Sequence, residues 1–95
     1  MAVIVTLEFP GVDEEGYRHT FDKITGAPWF PTPGFLAHAA GPDGAGGWRV
    51  IDFWDSEEAY RMFARKTLPI LQETGLTSVT TRIDKAVEVV VPPPG

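Results

Sequence analysis

The first quarter of the chain changes from a strand-like to a helix-like pattern of apolar positions. Ala2 to Phe9 is rich in Val and Ile and predicts a strand. Asp13 is the predicted N-cap of a first helix, because its side chain can accept from the free backbone N–H groups of the first turn. Gly26 is predicted to end this helix. The apolar stripe of the helix has helical spacing and consists of Tyr17, Phe21 and Ile24.

The middle of the chain predicts a loop followed by a β-hairpin. Segment 27–33 contains three prolines, which exclude regular structure, and it carries two large aromatic side chains. Residues 34–40 and 48–54 predict the second and third strands. The glycine-rich segment 41–47 joins them, and we expect the hairpin to turn about Gly44.

The second half of the chain predicts one more helix and one more strand. Asp55 marks the helix start, since Glu58 follows it at the spacing of a capping box. Pro69 is expected to break or kink this helix and leave its last part as a separate turn. Gly75 is expected to end it. The alternation of apolar and polar residues places the last strand within Val79 to Val91.

The order β-α-β-β-α-β defines the predicted fold class. It is α+β and ferredoxin-like, with a four-stranded antiparallel sheet and both helices on one face. Residues 1–91 are predicted to form a single domain, and residues 92–95 a proline-rich tail.

Neither face of this sheet is polar enough to be left in water. In the third strand Ile51 and Phe53 alternate with Trp48, Val50 and Trp54, so both faces carry large apolar side chains. The helices can cover only one of them. The simplest cover for the other face is a second copy, packed sheet against sheet with two-fold symmetry. The chain is therefore predicted to be a homodimer, a dimeric α+β barrel.

Charge and composition narrow the range of partners. A net charge of −5 over 95 residues argues against nucleic acid and against membranes. Cysteine is absent and there are only two histidines, so we expect no metal site. The apolar run near the N-terminus is too short for a signal-peptide core or a membrane span, so a cytoplasmic protein is expected.

Part of the chain resembles a known family. Residues 46–63 hold a strand that closes on a tryptophan before an acidic helix start, Trp54-Asp55-Ser56-Glu57-Glu58-Ala59, and Gly34-Phe35 opens the preceding strand. These features resemble the antibiotic biosynthesis monooxygenase family of dimeric α+β barrel proteins. The resemblance implies this fold. For an enzyme, it also implies a cofactor-independent oxygenase that acts on a phenolic, polyketide-like substrate.

A helix histidine that many of these proteins carry is absent here. It would lie nine residues after Trp54, where this chain has Phe63. The haem-degrading members use a helix histidine as the iron ligand, and no histidine follows His38 in this chain. We therefore predict no specific haem binding and no other cofactor.

His38 is the candidate catalytic base. A hairpin that turns about Gly44 would place His38 opposite Val50, with Trp48 and Asp52 as diagonal neighbours. Together with the resemblance, this predicts that His38 takes a proton from the substrate and that Asp52 orients the imidazole. The alternative is a core histidine whose hydrogen bonds are satisfied by Asp52 or by backbone.

Aromatic residues are the candidate substrate-binding groups. They could enclose a small apolar or aromatic metabolite, or they could fill the core and the dimer interface. Two functions stay open at this point. One is a ligand-binding barrel with monooxygenase-like activity, and the other is a non-catalytic ligand-binding or dimerisation module. The predicted wall residues are Trp48, Trp54, Tyr17, Phe21, Trp29 and Phe30.

Overall fold

The predicted element order is present in the computed structural model, which describes residues 1–94. The four strands form one antiparallel sheet in the order β2-β3-β1-β4, with two helices packed over one face. The α+β ferredoxin-like prediction is therefore confirmed. The elements are β1 (Val3–Phe9), α1 (Glu14–Thr25), β2 (Phe35–Pro42), β3 (Trp48–Trp54), α2 (Glu57–Thr74) and β4 (Thr80–Lys85).

The helix starts depend on short polar side chains. Asp13 caps α1 as predicted, with its carboxylate 2.9 Å from the backbone N of Gly16. The prediction of Asp55 as the cap of α2 is wrong. The hydroxyl of Ser56 accepts from the backbone N of Ala59 at 3.1 Å instead. A serine one residue later satisfies the same free N–H groups, and the sequence spacing alone does not separate the two.

Pro69 does not break the second helix, so the prediction of a separate last turn is wrong. Helix α2 runs without a break to Thr74, where Gly75 caps it with a φ of 84°. Pro69 faces solvent, while Tyr60 and Thr67 on the same helix are buried. The packing of this buried side holds the helix together across the one N–H group that proline lacks.

The hairpin turns about Ala45 rather than Gly44, and this changes its register. His38 lies directly opposite Asp52, and Pro42 lies opposite Trp48. The Asp43 side chain fixes the turn by accepting from the backbone N–H of Ala45 at 2.7 Å and from that of Gly47 at 3.0 Å. The predicted pairing of His38 with Val50 is therefore wrong by a shift of two residues along β3. The true register brings His38 closer to Asp52 than the prediction did.

A β-bulge interrupts the second strand near its start. Phe35 pairs with Trp54 and Ala37 pairs with Phe53, so Leu36 is an extra residue in β2. The regular alternation expected along this strand would put Phe35 and His38 on opposite faces. The bulge instead places both on the face that the helices cover. The side-chain pattern alone does not reveal it, because neighbouring residues of this strand are all small or apolar.

The two faces of the sheet differ in what covers them. We call the helix-covered side the inner face; it carries His38 and Asp52, and its buried apolar residues include Val5, Val50 and Trp54. We call the other side the outer face; it carries the half-buried Ile4, Ile51 and Phe53, and the Glu8–Arg49 ion pair.

The last strand is shorter than the segment that predicted it. It ends at Lys85, and Val87 is 99% exposed and Val90 74% exposed beyond it. The predicted tail over 92–95 reaches Gly95, which lies outside the described residues. No helix among residues 1–94 combines the length and the apolarity that crossing a membrane requires.

Candidate functional site

A chain of three hydrogen-bonded side chains crosses the inner face. Asp52 Oδ1 lies 2.5 Å from His38 Nδ1, and His38 Nε2 lies 2.6 Å from the hydroxyl oxygen of Tyr17. The direct pairing of His38 with Asp52 across β2 and β3 creates the first contact. The second contact comes from α1, because Tyr17 stands one turn into the helix on its buried side. The side chains of His38 and Asp52 are 16% and 6% exposed.

The protonation pattern follows from what each group can donate. Burial, and then the charge of Asp52, raise the pKa of Tyr17 to about 12, so its hydroxyl keeps its proton and can donate. An ionised Asp52 can only accept a hydrogen bond, so it accepts one from the N–H group at His38 Nδ1. Nε2 of a neutral imidazole then accepts from Tyr17. His38 is therefore hydrogen-bonded through both ring nitrogens, and the Tyr17 hydroxyl is the end of the chain that lies farthest from Asp52 along it.

Aromatic rings fix the histidine from the side. Phe21 stacks on His38 with ring centroids 4.5 Å apart and an angle of 10° between the planes. The Tyr17 ring stacks in turn on Trp48 at 5.2 Å. These contacts leave the imidazole little freedom to rotate, which holds both of its nitrogens on their partners.

The three hydrogen-bonded residues open onto a cavity between the sheet and the helices. The cavity has a volume of about 240 Å³. Its wall is mostly aliphatic and aromatic, with contributions from both helices and from strands β1 to β4. An apolar space with a few convergent polar groups is the usual form of a small-molecule site. Tyr17, His38 and Asp52 supply those polar groups on one side.

Tyr60 is a second tyrosine on the wall, and it is not among the residues predicted for the site. Its pKa is raised by burial first and then by the charge of Asp52. Tyr60 is one of the buried residues of α2. Nothing in the sequence pattern indicated that its hydroxyl would lie close enough to Asp52 to feel that carboxylate's charge.

The predicted wall residues fall into two groups. Tyr17 and Phe21 line the cavity, whereas the remaining four lie outside its wall. Trp54 is fully buried in the core against Phe63, with ring centroids 4.9 Å apart. Trp29 packs edge-on against Phe63 from the proline-rich loop at 6.1 Å. The other two residues outside the wall are Trp48 and Phe30.

The position of the missing helix histidine is also part of the wall. Phe63 lines the cavity, so a histidine at this place would lie beside the ligand space. Sequence spacing after Trp54 located this position correctly on α2. The absence of haem remains a prediction that a titration must test.

Comparison with known proteins first identifies the class of fold. The sequence matches no protein-family model and no curated protein. The structure matches solved structures of dimeric ferredoxin-like proteins, one of them a protein of unknown function from Thermobifida fusca. That chain is 17% identical over 87% of this chain and 89% of the other, with a TM-score of 0.61.

Two further solved structures are oxygenases. SnoaB, described as a cofactor-independent oxygenase from Streptomyces nogalater, is 17% identical with a TM-score of 0.67, over 94% of this chain and 95% of the other. The ActVA-Orf6 monooxygenase of Streptomyces coelicolor, solved with Nanaomycin D, is 17% identical with a TM-score of 0.67, over 97% and 93%. At these identities the likeness shows the fold. It confirms the predicted resemblance to antibiotic biosynthesis monooxygenases at that level.

Proposed function

We propose that this protein binds a small aromatic metabolite in the inner cavity and oxygenates it with molecular oxygen, without a cofactor. The observation that carries the proposal is the Tyr17–His38–Asp52 hydrogen-bond chain, which ends at the cavity. A carboxylate–imidazole pair beside an apolar ligand space is suited to removing a proton from a weakly acidic substrate. The two oxygenases with this fold support the choice of reaction.

The reaction begins with proton removal from an activated ring CH₂ group. The phenolic oxygen of Tyr17 takes the substrate proton as it passes its own proton to His38 Nε2, and Asp52 stabilises the imidazolium that forms. The resulting carbanion transfers its electrons to O₂ and forms a carbon–oxygen bond, giving a hydroperoxide after proton return. Loss of water then leaves a carbonyl, so R₂CH₂ and O₂ become R₂C=O and H₂O.

The apolar wall contributes by excluding water. Aliphatic side chains such as Val50 and Leu71 surround the ligand space, and a carbanion formed there meets O₂ in a space with little bulk water to protonate it. The stacked Phe21 and Tyr17 rings offer flat surfaces for an aromatic ligand. These features favour a planar substrate that is small enough for a cavity of about 240 Å³.

We also propose that the outer face pairs with a second copy of the chain. Ile4, Ile51 and Phe53 form the apolar centre of this face, and the Glu8–Arg49 pair lies beside them. Two such faces packed about a two-fold axis would each remove apolar area from water, at about 25 cal/mol per Å². The solved dimeric proteins with this fold support the arrangement.

A non-catalytic module is the second candidate. The observation that favours it is the completeness of the hydrogen-bond chain, since every polar atom that His38 offers already has a partner. A buried structural histidine needs no more than this. Under this candidate the cavity binds a ligand, or no ligand, and the chain of three residues serves only to stabilise the fold.

An oxygen-labelling experiment separates the two candidates. The protein is incubated with a set of anthrones and dihydroxynaphthalenes under ¹⁸O₂, and the products are analysed by mass spectrometry. The proposal expects a product that has gained one labelled oxygen and lost two hydrogens, and expects His38→Ala to abolish it. His19→Ala is the matched control, because His19 is exposed on α1 and lies outside the cavity wall. Product formation that survives His38→Ala would remove His38 from the mechanism.

A further inference from the structure

Within the described residues 1–94, the cavity wall carries no positively charged side chain of the lysine or arginine type. The chain has eight such residues, all inside that range, and none of them lines the cavity. Several are paired with carboxylates on the surface of the molecule, such as Arg18 with Glu14 and Arg61 with Glu57. Arg49 lies on the outer face with Glu8. None of the lysines and arginines of this chain is therefore part of the described wall of the ligand space.

Among the described wall residues, the only acidic side chain is that of Asp52. His38 is hydrogen-bonded to this carboxylate, so a proton on the imidazole is balanced by Asp52 and gives the pair no net positive charge. Tyr17 and Tyr60 are neutral phenols, and the pKa values of both are raised. An incoming anion therefore meets no unpaired positive charge among the described wall residues.

We infer that the cavity selects an uncharged aromatic ligand and rejects carboxylates, phosphates and sulfates of the same shape. An anion that entered would lose its hydration without gaining an ion pair, and that is a large penalty in an apolar space. The carboxylate of Asp52 would add repulsion at short range. The inference rests on the proposed ligand-binding role of the cavity, and it narrows the substrate to phenols, quinones, ketones or esters without an acidic group.

The test is a comparison of three naphthalene probes of nearly equal shape. Binding of 2-naphthol, 2-naphthoate and methyl 2-naphthoate to the intact protein is measured by isothermal titration calorimetry at neutral pH. The naphthol and the ester are expected to bind with similar affinity. The naphthoate is expected to bind about tenfold more weakly or worse, because its charge enters a space of low dielectric constant beside Asp52.

Two variants assign the cause of this discrimination. Asp52→Asn removes the carboxylate from the wall and should narrow the gap in binding affinity between the ester and the naphthoate. Glu15→Gln removes the same charge from the exposed first turn of α1, away from the cavity, and should leave the gap unchanged. Equal narrowing in both variants would overturn the inference, because it would place the cause in the net charge of the chain. Circular dichroism checks folding, and the wild-type comparison of ester and acid decides the matter if Asp52→Asn does not fold.

The outcomes for the inference and for the proposed activity can be told apart. Naphthoate binding as tight as ester binding, or no binding of any probe, would overturn the inference. If the probes bind with different affinities but no labelled product forms, the proposed oxygenase activity is overturned and the inference stays intact. Labelled product together with equal binding of acid and ester would overturn the inference and leave the proposed oxygenase activity intact.

Discussion

The inner and outer faces of the sheet both combine apolar residues with charged ones, but they differ in how the charges are held. On the outer face Arg49 and Glu8 are 43% and 47% exposed, so water screens them and their ion pair contributes little to stability. On the inner face Asp52 is only 6% exposed and has His38 as its partner.

Burying such a pair is costly, since both groups lose hydration. Replacing it by well-packed apolar residues would often be neutral or stabilising. The inner charges are therefore the ones that call for a functional explanation, whereas the outer charges are the polar rim of an apolar patch. The predictions that follow test this difference, from the largest expected effect to the smallest.

The largest effect is expected from a charge placed at the centre of the outer face. Phe53→Asp should convert the proposed dimer into monomer or aggregate. Each interface contains this position twice, and losing two buried phenylalanines removes roughly 3–6 kcal/mol before the cost of burying the new carboxylates. Light scattering at micromolar concentration measures the mass.

Met62→Asp is the matched control for the outer-face variant. Met62 is a large apolar residue that is 51% exposed on α2, away from the sheet. Its replacement should leave the mass of the protein unchanged. A well-folded wild-type monomer in the same measurement would contradict the dimer proposal directly.

The next largest effect concerns the inner face, where Trp54 belongs to the core and not to the cavity wall. Trp54→Ala should cost about 3–5 kcal/mol of unfolding free energy, because the fully buried ring leaves a large void. Trp54→Phe should cost much less, since the buried indole N–H has no hydrogen-bond partner to lose within the described part of the chain. Urea denaturation measures both. A Trp54→Ala loss no larger than that of the peripheral Trp29→Ala would contradict the core assignment.

Much of this arrangement could be predicted from the sequence. The strand and helix order followed from period-two and helical patterns, and the absence of a polar face on the third strand predicts cover for the face that the helices leave open. The position of Phe63 on α2 followed from its spacing after Trp54. Each of these features depends on local pattern, which the amino-acid sequence states directly.

The features that the sequence did not reveal depend on small shifts with large consequences. The centre of the hairpin lies one residue later than predicted, so the residue opposite His38 is Asp52 and not Val50. The bulge at Leu36 is invisible in a strand of small and apolar residues. The contact of Tyr17 with His38 joins α1 to β2 across two layers, and only the packed structure determines it. A useful signal was present, because the helical stripe already placed Tyr17 and Phe21 toward the sheet.

A smaller effect is expected when the inner charge pair is broken. His38→Ala leaves Asp52 buried without its partner and should cost on the order of 1–3 kcal/mol of unfolding free energy. The double variant His38→Ala/Asp52→Leu should recover part of that loss, because it removes the unpaired carboxylate as well. Denaturation curves of the two single variants and the double variant measure the coupling. A double variant with the full sum of both losses would show that the pair is not coupled.

The smallest effect belongs to Tyr17, at the end of the inner hydrogen-bond chain, and it depends on pH. Burial raises the pKa of Tyr17 to about 12 in the folded protein, from an ordinary value of 10.0. The raised pKa favours folding fully below pH 10, and this contribution is lost as the pH rises through the folded pKa near 12, because the unfolded chain releases the phenolic proton first. The unfolding free energy should therefore fall less steeply between these pH values in Tyr17→Phe than in the wild type. Urea denaturation at a series of alkaline pH values measures the slopes, and Tyr60→Phe separates the contribution of the second buried tyrosine. A native tyrosinate absorbance that is complete near pH 10 for both tyrosines would contradict the burial of this hydroxyl against His38.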